Sequence, residues 1–458
     1  MFFIYEHSFL ELVSSVMKEY YFKKRTVMNS SEHPSQKNNM ACPKVVVAHP
    51  AQQHSYHLGR ALTKNSSLFA YVTTIYYRRN KILYRILGLL IGKGNKERML
   101  NRRNSYIEPL TKQFDEILGL AFLFFGRVLR NKALLGSIGS WLGSRFGKKV
   151  AKLAVDHDID ILICFDTYAL SAFEGVASSS IVKVLDMSSI PIPKICQIID
   201  NQPKLGGHSE LSKAMTRSIF SSELITQAER EIGLADYFLV ASTFTQRQLI
   251  DMGVESQRVC VVPYGIDLER YKPRSEANIE TQRPVTLLFV GRMTMVKGFH
   301  VLIEALTKLK PESFRCLLVG HPQNSESQLS ELPSCFEFLG PLASTDMPAL
   351  YTRANILIAP SLYDGFGFTI LEAMASGLCV VCSRSTGASD LITHGKSGML
   401  IEAGDADDLF QKLEQLISDP RQLSSMKILA REAVKNYSWD TYDGRISRVI
   451  EYIHEENS

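Results

Sequence analysis

Residues 357–377 read LIAPSLYDGFGFTILEAMASG, and their interpretation decides how the rest of the chain is read. An apolar run of strand character leads into a loop holding two glycines and two phenylalanines, and the loop opens an apolar segment of helical character. Asp364 and Glu372 stand on either side of the bend. Glycines let backbone approach a ligand closely, and the first turn of a helix leaves N–H groups unpaired at the positive end of its dipole, so the bend suits an anion, a phosphate first of all. A second reading is purely structural. Thr369-Ile-Leu-Glu372 fits the S/T-x-x-E capping box, in which Glu372 bonds back to the first residues of the helix and Asp364 is an ordinary loop acid.

Outward from this stretch, strand and helix signals alternate. On its N-terminal side lie VTLLFVGR (285–292), FHVLIEALTKL (299–309), FRCLLVG (314–320), FEFLG (336–340) and MPALYTRA (347–354). On its C-terminal side lie LCVVCS (378–383) and ADDLFQKLEQLI (406–417). Short β-branched runs separated by helical segments are the pattern of a parallel sheet covered on both faces. The same pattern occurs earlier, in KVVVAHP (44–50), DIDILICF (158–165), SSIVKVLDMSS (179–189), YFLVAS (237–242) and QRVCVVPYGID (257–267). Between the two series, KPRSEANIETQRP (272–284) has almost no apolar residues and reads as a connector. The expected organisation is an N-terminal extension (1–40), a first Rossmann-like α/β domain (41–270), a second (271–436) and a closing helix (437–458), with a cleft between the two domains. Ligands of open parallel sheets bind outside the carboxyl ends of the strands.

With 458 residues, 45% of them hydrophobic and 22% charged, the chain is a multidomain globular protein and not a disordered or fibrous one. Eight cysteines scattered over this length do not make a disulfide framework, so a reducing compartment is expected. Cys379 and Cys382 have C-x-x-C spacing but lie in an apolar strand-like run, where residues three apart face opposite sides, so core packing is expected of them. The longest apolar run, ILGLAFLFFG, stops at Arg127, short of the roughly 18 to 20 residues a membrane span needs. Residues 1–40 lack the basic-then-apolar pattern of a cleaved leader, and Met28 and Met40 are alternative starts. The expected location is cytoplasmic.

VGRMTMVKG (290–298) follows a strand in the same way as DGFGFT, so Gly291, Arg292 and Lys297 share a loop at a strand's carboxyl end. A guanidinium can grip two oxygens while an ammonium adds a point charge, and with glycines that allow close approach the set suits a diphosphate. Taken together, VGRMTMVKGFHVLIEAL, VVPYGIDLERYKP, LYTRANILIAPSLYDGFGFTILEAMASG and GKSGMLIEAGDADDL resemble the run of motifs in the family-four retaining glycosyltransferases, sugar-nucleotide-dependent enzymes of the GT-B fold. The resemblance covers residues 235–445 and extends more loosely back to 44.

The resemblance implies an α/β GT-B architecture and a role for each matching residue. Arg292 and Lys297 match the pair that neutralises the donor diphosphate. Glu372 matches the second acid of the E-x7-E motif, which holds the ribose hydroxyls, and Asp364 matches the first, near the donor sugar. The backbone of Gly365, Phe366, Gly367, Phe368 and Thr369 meets sugar and phosphates, and backbone near Gly320 and Gly340 meets the base. Asp364 stands where the family usually has Glu, one methylene longer, which bears on donor choice. A nucleoside diphosphate leaves well once its charge is met by cations and a helix N-terminus, so neither a metal nor another cofactor is expected. The D-x-D pairs of DHDID (156–160) are read as lying at the start of a strand, away from the cleft.

In the N-terminal half the family's glycine pair and histidine are replaced by HPAQQHSYHLGR, CFDTYA and LDMSS. His49, His54, Asp166 and Asp186 are the candidates there, either orienting or deprotonating an acceptor hydroxyl or serving as loop hydrogen-bonders. Residues 75–149 hold 16 Lys or Arg against 4 Asp or Glu, a balance of +12 in a chain of net charge +5. The cations are interleaved with Leu, Ile, Phe and Trp141, which fits either a solvated face over a core helix or an interfacial segment on anionic lipid at the inner face of the membrane. No nucleic-acid module is recognisable. The expected activity is retaining transfer of a sugar from a nucleotide sugar to a glycan or lipid-linked acceptor in cell-surface polysaccharide synthesis. A nucleotide-sugar epimerase or hydrolase, and a non-catalytic nucleotide-sugar-binding protein, are the alternatives.

Overall fold

Two parallel sheets carry the fold. The computed structural model describes residues 42–51, 54–78, 84, 102–128, 132–200, 220–273, 284–322 and 332–458. The expected extension at 1–40 and most of the polar connector lie outside these residues. Among them, the first sheet has seven strands: β1 (Val45–Ala48), β2 (Leu68–Thr73), β3 (Thr111–Gln113), β4 (Ile161–Phe165), β5 (Val182–Met187), β6 (Tyr237–Val240) and β7 (Val259–Val261). Their order is β3-β2-β1-β4-β5-β6-β7, and the neighbouring strands pair in parallel. The second has six: β8 (Val285–Val290), β9 (Phe314–Val319), β10 (Phe336–Gly340), β11 (Ile356–Ala359), β12 (Cys379–Ser383) and β13 (Met399–Ile401), in the order β10-β9-β8-β11-β12-β13, again parallel. The strand order of each sheet therefore reverses once, between β1 and β4 and between β8 and β11. Those are the places where doubly wound sheets open a crevice.

Side-chain alternation explains how the sheets are buried. Val45 and Val47 belong to one apolar cluster, while Val46 and Ala48 belong to another on the opposite face. In β12, Val380 and Cys382 join the first cluster while Cys379 and Val381 join a third. The C-x-x-C pair thus packs on two faces of one strand. Burial pushes both thiols up to about 12, where they are inert at neutral pH. The first cluster is continuous from β1 through β8 and β11 to the C-terminal helix, so the facing sides of the two sheets share one core. Each of its fully buried Leu, Ile or Val side chains contributes about 1.5–3 kcal/mol by leaving water.

The helix Trp439–Glu455 starts on the second half and lies along the helix Ser55–Lys64 of the first. Ser438 caps it by accepting from the Thr441 N–H. Arg60 meets the buried Asp443 at 3.0 Å, and Lys64 reaches Asp443 and Asp440, each at 2.8 Å. His57 stacks on Trp439 with ring centres 3.3 Å apart, and burial holds its imidazole down at about 4, hence neutral. Tyr442, Ile446, Ile450 and Ile453 fill the seam beneath. Among the described residues no helix is long and apolar enough to cross a membrane.

Candidate active site

A cavity of about 500 Å³ opens at the switch point of the second sheet. Gly291 and Lys297, which follow β8, line it together with Asp364, Phe366, Gly367, Phe368 and Thr369, which follow β11. His54 and Ser188, from the carboxyl edge of the first sheet, close the opposite wall. The cavity therefore lies between the two halves and is lined from both.

Local geometry explains the glycines. Gly367 is the N-cap of the helix Phe368–Ala375, with φ of 89° in the left-handed region, and no side chain caps that end. The capping-box reading of Thr369 and Glu372 is thereby overturned: the helix starts at Phe368, and the Glu372 carboxylate is turned away from that end. The open first turn, at the positive end of the dipole, lies against the cavity through Gly367, Phe368 and Thr369. Gly298, at φ of 68°, brings the loop after β8 so close to the end of β11 that a Cβ there would stand 1.9 Å from the Pro360 carbonyl oxygen.

Lys297 Nζ lies 2.5 Å from Asp364 Oδ2, so the two loops are tied by an ion pair inside the cavity. Arg292 is exposed beside Tyr363, outside the cavity lining. Glu372 is half-buried one helical turn behind the lining. One of its carboxylate oxygens accepts from Tyr271 at 2.9 Å and the other from Tyr351 at 2.7 Å. Burial raises its pKa, and the two phenols work against that rise. Gly320 and Gly340 sit at the ends of β9 and β10, joined by Gly320 N–H donating to Gly340 C=O at 3.0 Å, and neither lines the cavity.

On the first sheet, His54 and Asp186 are brought together: His54 Nε2 lies 2.9 Å from Asp186 Oδ1, both buried. Tyr264 adds its hydroxyl 3.1 Å from the same nitrogen, while its ring stacks on Phe368 with centres 5.0 Å apart. A chain of contacts thus runs from the loop after β11 through Tyr264 and His54 to Asp186. Asp166, at the end of β4, is within 3.4 Å of Ser188 Oγ, and burial pushes its carboxyl up to about 7, reinforced by Asp186 and Glu231. His49 is buried beside Phe165 and Tyr168, its Nδ1 accepting from Ala51 N–H, and does not line the cavity. Asp158 and Asp160 line a different hollow at the other edge of the first sheet, and Asp160 accepts from the Lys44 N–H.

Several participants carry no local sequence signal. Tyr264 and Ser188 both line the cavity and both follow strands, which is the one hint available. Ser242 donates to the Gly365 carbonyl at 2.9 Å, and Thr243 holds Asp390 through its N–H at 2.7 Å and its hydroxyl at 2.6 Å. The first bond fastens the first half to the DGFGF loop and the other two fasten it to the turn Gly387–Leu391 after β12. Gly365 itself packs on the backbone of Ser188 and Ser189, where a Cβ would come within 2.6 Å.

Comparison with known proteins agrees with this geometry. Residues 284–419 match the family model described as glycosyl transferases group 1. The chain is 31% identical over 229 residues to a D-inositol 3-phosphate glycosyltransferase of Corynebacterium urealyticum, covering 44% of this chain and 53% of that protein. It is 27% identical over 325 residues to a phosphatidyl-myo-inositol mannosyltransferase of Mycolicibacterium smegmatis, covering 69% and 78%. The chain spans about half the length of most relatives it matches. Among solved structures, sucrose-phosphate synthase of Thermosynechococcus elongatus superposes with a TM-score of 0.61 at 16% identity, covering 90% of this chain and 100% of that one. Anabaena Alr3699/HepE in complex with UDP gives 0.57 at 18%, covering 89% and 100%. These likenesses establish the two-sheet GT-B fold, and within it residues 284–419 are similar to the glycosyl transferases group 1 family.

Proposed function

We propose that this protein is a retaining glycosyltransferase that moves a sugar from a nucleoside-diphosphate sugar to a glycan or lipid-linked acceptor in cell-surface polysaccharide synthesis. One observation carries the reading: an ammonium, an uncapped helix N-terminus and a loop acid converge on a single cavity at a switch point. In this reading the diphosphate lies against Lys297 and the amides after Gly367, with Asp364 beside the sugar, and Arg292, which is exposed outside the cavity lining, turns in to meet it when the donor binds. Glu372, held by its two tyrosines, meets the ribose. The acceptor hydroxyl enters past Ser188, His54 and the Asp166–Asp186 edge.

The chemistry needs only these groups. The bond between the anomeric carbon and the diphosphate oxygen breaks with its electron pair going to that oxygen. The acceptor oxygen bonds to the same face of the carbon, and its proton passes to the departing phosphate. Cations and amides placed where charge develops lower the barrier without reorganising at the moment of reaction. Structural relatives solved with UDP and with UDP-glucose make uridine nucleotides the first to test. The full chain is screened by thermal shift against UDP-, GDP- and ADP-sugars, and donor consumption is then followed with and without acceptors, the product anomer being read by NMR. Stabilisation by one nucleotide class and acceptor-dependent, configuration-retaining transfer are expected. Acceptor-independent consumption means epimerisation or hydrolysis instead, and no stabilisation by any nucleotide refutes the assignment.

A further inference from the structure

We infer that Glu231 is a positioning residue for the transfer reaction: it clamps the turn after β4 that presents Asp166 and Tyr168 to the acceptor. The inference deepens the proposed function and rests on its placing the acceptor at the Asp166–Asp186 edge. Glu231 belongs to the helix Ser222–Leu234, which packs on the helix Leu170–Gly175, and it is 1% exposed. One carboxylate oxygen accepts from the Thr167 N–H at 2.7 Å. The other accepts from the N–H groups of Ala169 at 3.0 Å and Leu170 at 3.1 Å and from the Gln227 side-chain amide at 2.9 Å. All four partners donate, which suits a carboxylate and leaves no acceptor for a carboxylic acid's proton. The neighbouring Arg230 pairs with Glu174 instead, so amides compensate the buried charge.

A helix cap alone does not call for this arrangement. The helix Leu170–Gly175 starts at Ala169, which has no side chain to cap it, and a Ser, Thr, Asp or Asn there would satisfy its first amides locally. Glu231 does so across 62 residues, and it also holds Thr167, whose φ of 69° lies in the left-handed region that a β-branched residue rarely takes. Gln227 completes the clamp by donating to the Thr167 carbonyl at 2.7 Å, so both backbone groups of Thr167 are bound to one helix. A buried charge and a left-handed threonine are each unfavourable alone, and such features persist where the surroundings over-determine them, above all at functional sites. The residues fixed by the clamp flank Thr167. Asp166 precedes it, with its carboxylate 3.4 Å from the hydroxyl of Ser188, which lines the cavity. Tyr168 follows it, 37% exposed, with its ring centre 5.6 Å from that of His49. Glu231 does not itself line the cavity, so it acts through the turn and through its charge. The titratable groups around Asp166 are Asp186, Glu231, His54, Tyr168 and Tyr264. Burial first, then Asp186 and Glu231, push the Asp166 carboxyl up to about 7, while the Ser188 N–H and His54 oppose the rise.

The test compares the full chain with Glu231→Gln, which keeps the side chain's shape without its charge, and with Gln227→Met. Gln227 is half-exposed, so its variant keeps the fold and decides the matter if the first does not fold. Transfer is followed with the pair the parent uses best among UDP-, GDP- and ADP-sugars as donors and p-nitrophenyl glycosides as acceptors, and backbone amide exchange is read over residues 166–175. Glu231→Gln is expected to lower kcat/KM for the acceptor by about tenfold or more, with nucleotide affinity unchanged to within about twofold. Exchange should accelerate at Thr167, Ala169 and Leu170, and the inflection of the pH–rate profile near neutrality should move down, because Asp166 loses a repelling charge. Gln227→Met should show the same pattern more weakly. Adding Thr167→Gly to Glu231→Gln should recover at least about threefold of the lost transfer, since glycine takes the left-handed turn unaided, a rescue that a merely stabilising residue would not show. Unaltered transfer in both variants, transfer lost in step with nucleotide affinity, a fixed inflection, or no recovery with Thr167→Gly overturns the inference. Exchange needs no turnover, so unchanged exchange in Glu231→Gln overturns the clamp alone, whereas a parent inert throughout the panel and binding no nucleotide overturns the transfer reading and this inference with it.

Discussion

Replacing Lys297 by Met and Asp364 by Asn, singly and together, tests the cavity most directly. The two side chains lie 2.5 Å apart and are 34% and 25% exposed, so each is only partly shielded from water. Two unit charges about 4 Å apart attract by about 4 kcal/mol at an effective dielectric of about 20. Desolvation and side-chain ordering leave a net worth of about 1 kcal/mol for such a pair. A charge-assisted hydrogen bond from the ammonium to a phosphate is worth about 1.5–3 kcal/mol, part of which is offset by what Lys297 gives up in leaving Asp364. Lys297→Met should therefore weaken UDP binding by about 1–2 kcal/mol, roughly 5- to 30-fold. Asp364→Asn acts in the opposite direction. It removes both a competitor for the ammonium and a repelling charge, so UDP, which has no sugar to lose contact with, should bind about fivefold tighter, while sugar transfer falls. In the double variant the Asp364→Asn gain should shrink, because the ammonium it released is gone. Isothermal titration of the four proteins with UDP measures all three quantities. Parent-like affinity in Lys297→Met, or weakened UDP binding in Asp364→Asn, refutes the reasoning.

Two further outcomes follow from single residues. Burial lifts Asp166 to about 7, whereas in the unfolded chain it titrates near 3.9; between about pH 4 and 7 the unfolded chain has released this proton and the folded one has not. Its contribution to stability therefore falls as pH rises through that window, and Asp166→Asn should flatten this part of the slope in urea midpoints taken at pH 5 and 7; an unchanged slope would contradict it. Gly298→Ala places a Cβ 1.9 Å from the Pro360 oxygen at φ of 68° and should cost about 3 kcal/mol, whereas Gly253→Ala, at φ of 90° with open space around it, should cost about 1. Equal denaturation midpoints for the two glycine variants would show that the close approach is not what constrains Gly298.

The strands were legible because their signal is local. VTLLFV, CVVCS and ILICF are β-branched or apolar runs with proline, glycine or a charged residue within two positions of each end, and they became β8, β12 and β4. The loops after β8 and β11 were legible for the same reason: their glycines and charges lie within a few residues of strands whose ends define the switch point. Of the two readings of this bend the capping box fails, because its Thr-x-x-Glu pattern competes with a left-handed glycine two residues earlier, and the glycine conformation prevails. Glu372's partners were not legible, since Tyr271 and Tyr351 lie 101 and 21 residues away. Tyr264 reaches His54 across 210 residues and Asp186 reaches it across 132. Contacts of that separation follow from how two sheets face each other, which no local pattern encodes.

The helix Trp439–Glu455 also sets the timing of synthesis. Its partners His57, Arg60 and Lys64 leave the ribosome some 375 residues before Trp439 does, an interval of about 20–75 s at ordinary translation rates. Throughout that interval the flank of the helix Ser55–Lys64 stays wet, with the guanidinium of Arg60 still waiting for its carboxylate. The earliest-made half of the molecule is thus among the last to be completed, and nascent chains stalled before residue 439 should be the form that chaperones hold longest.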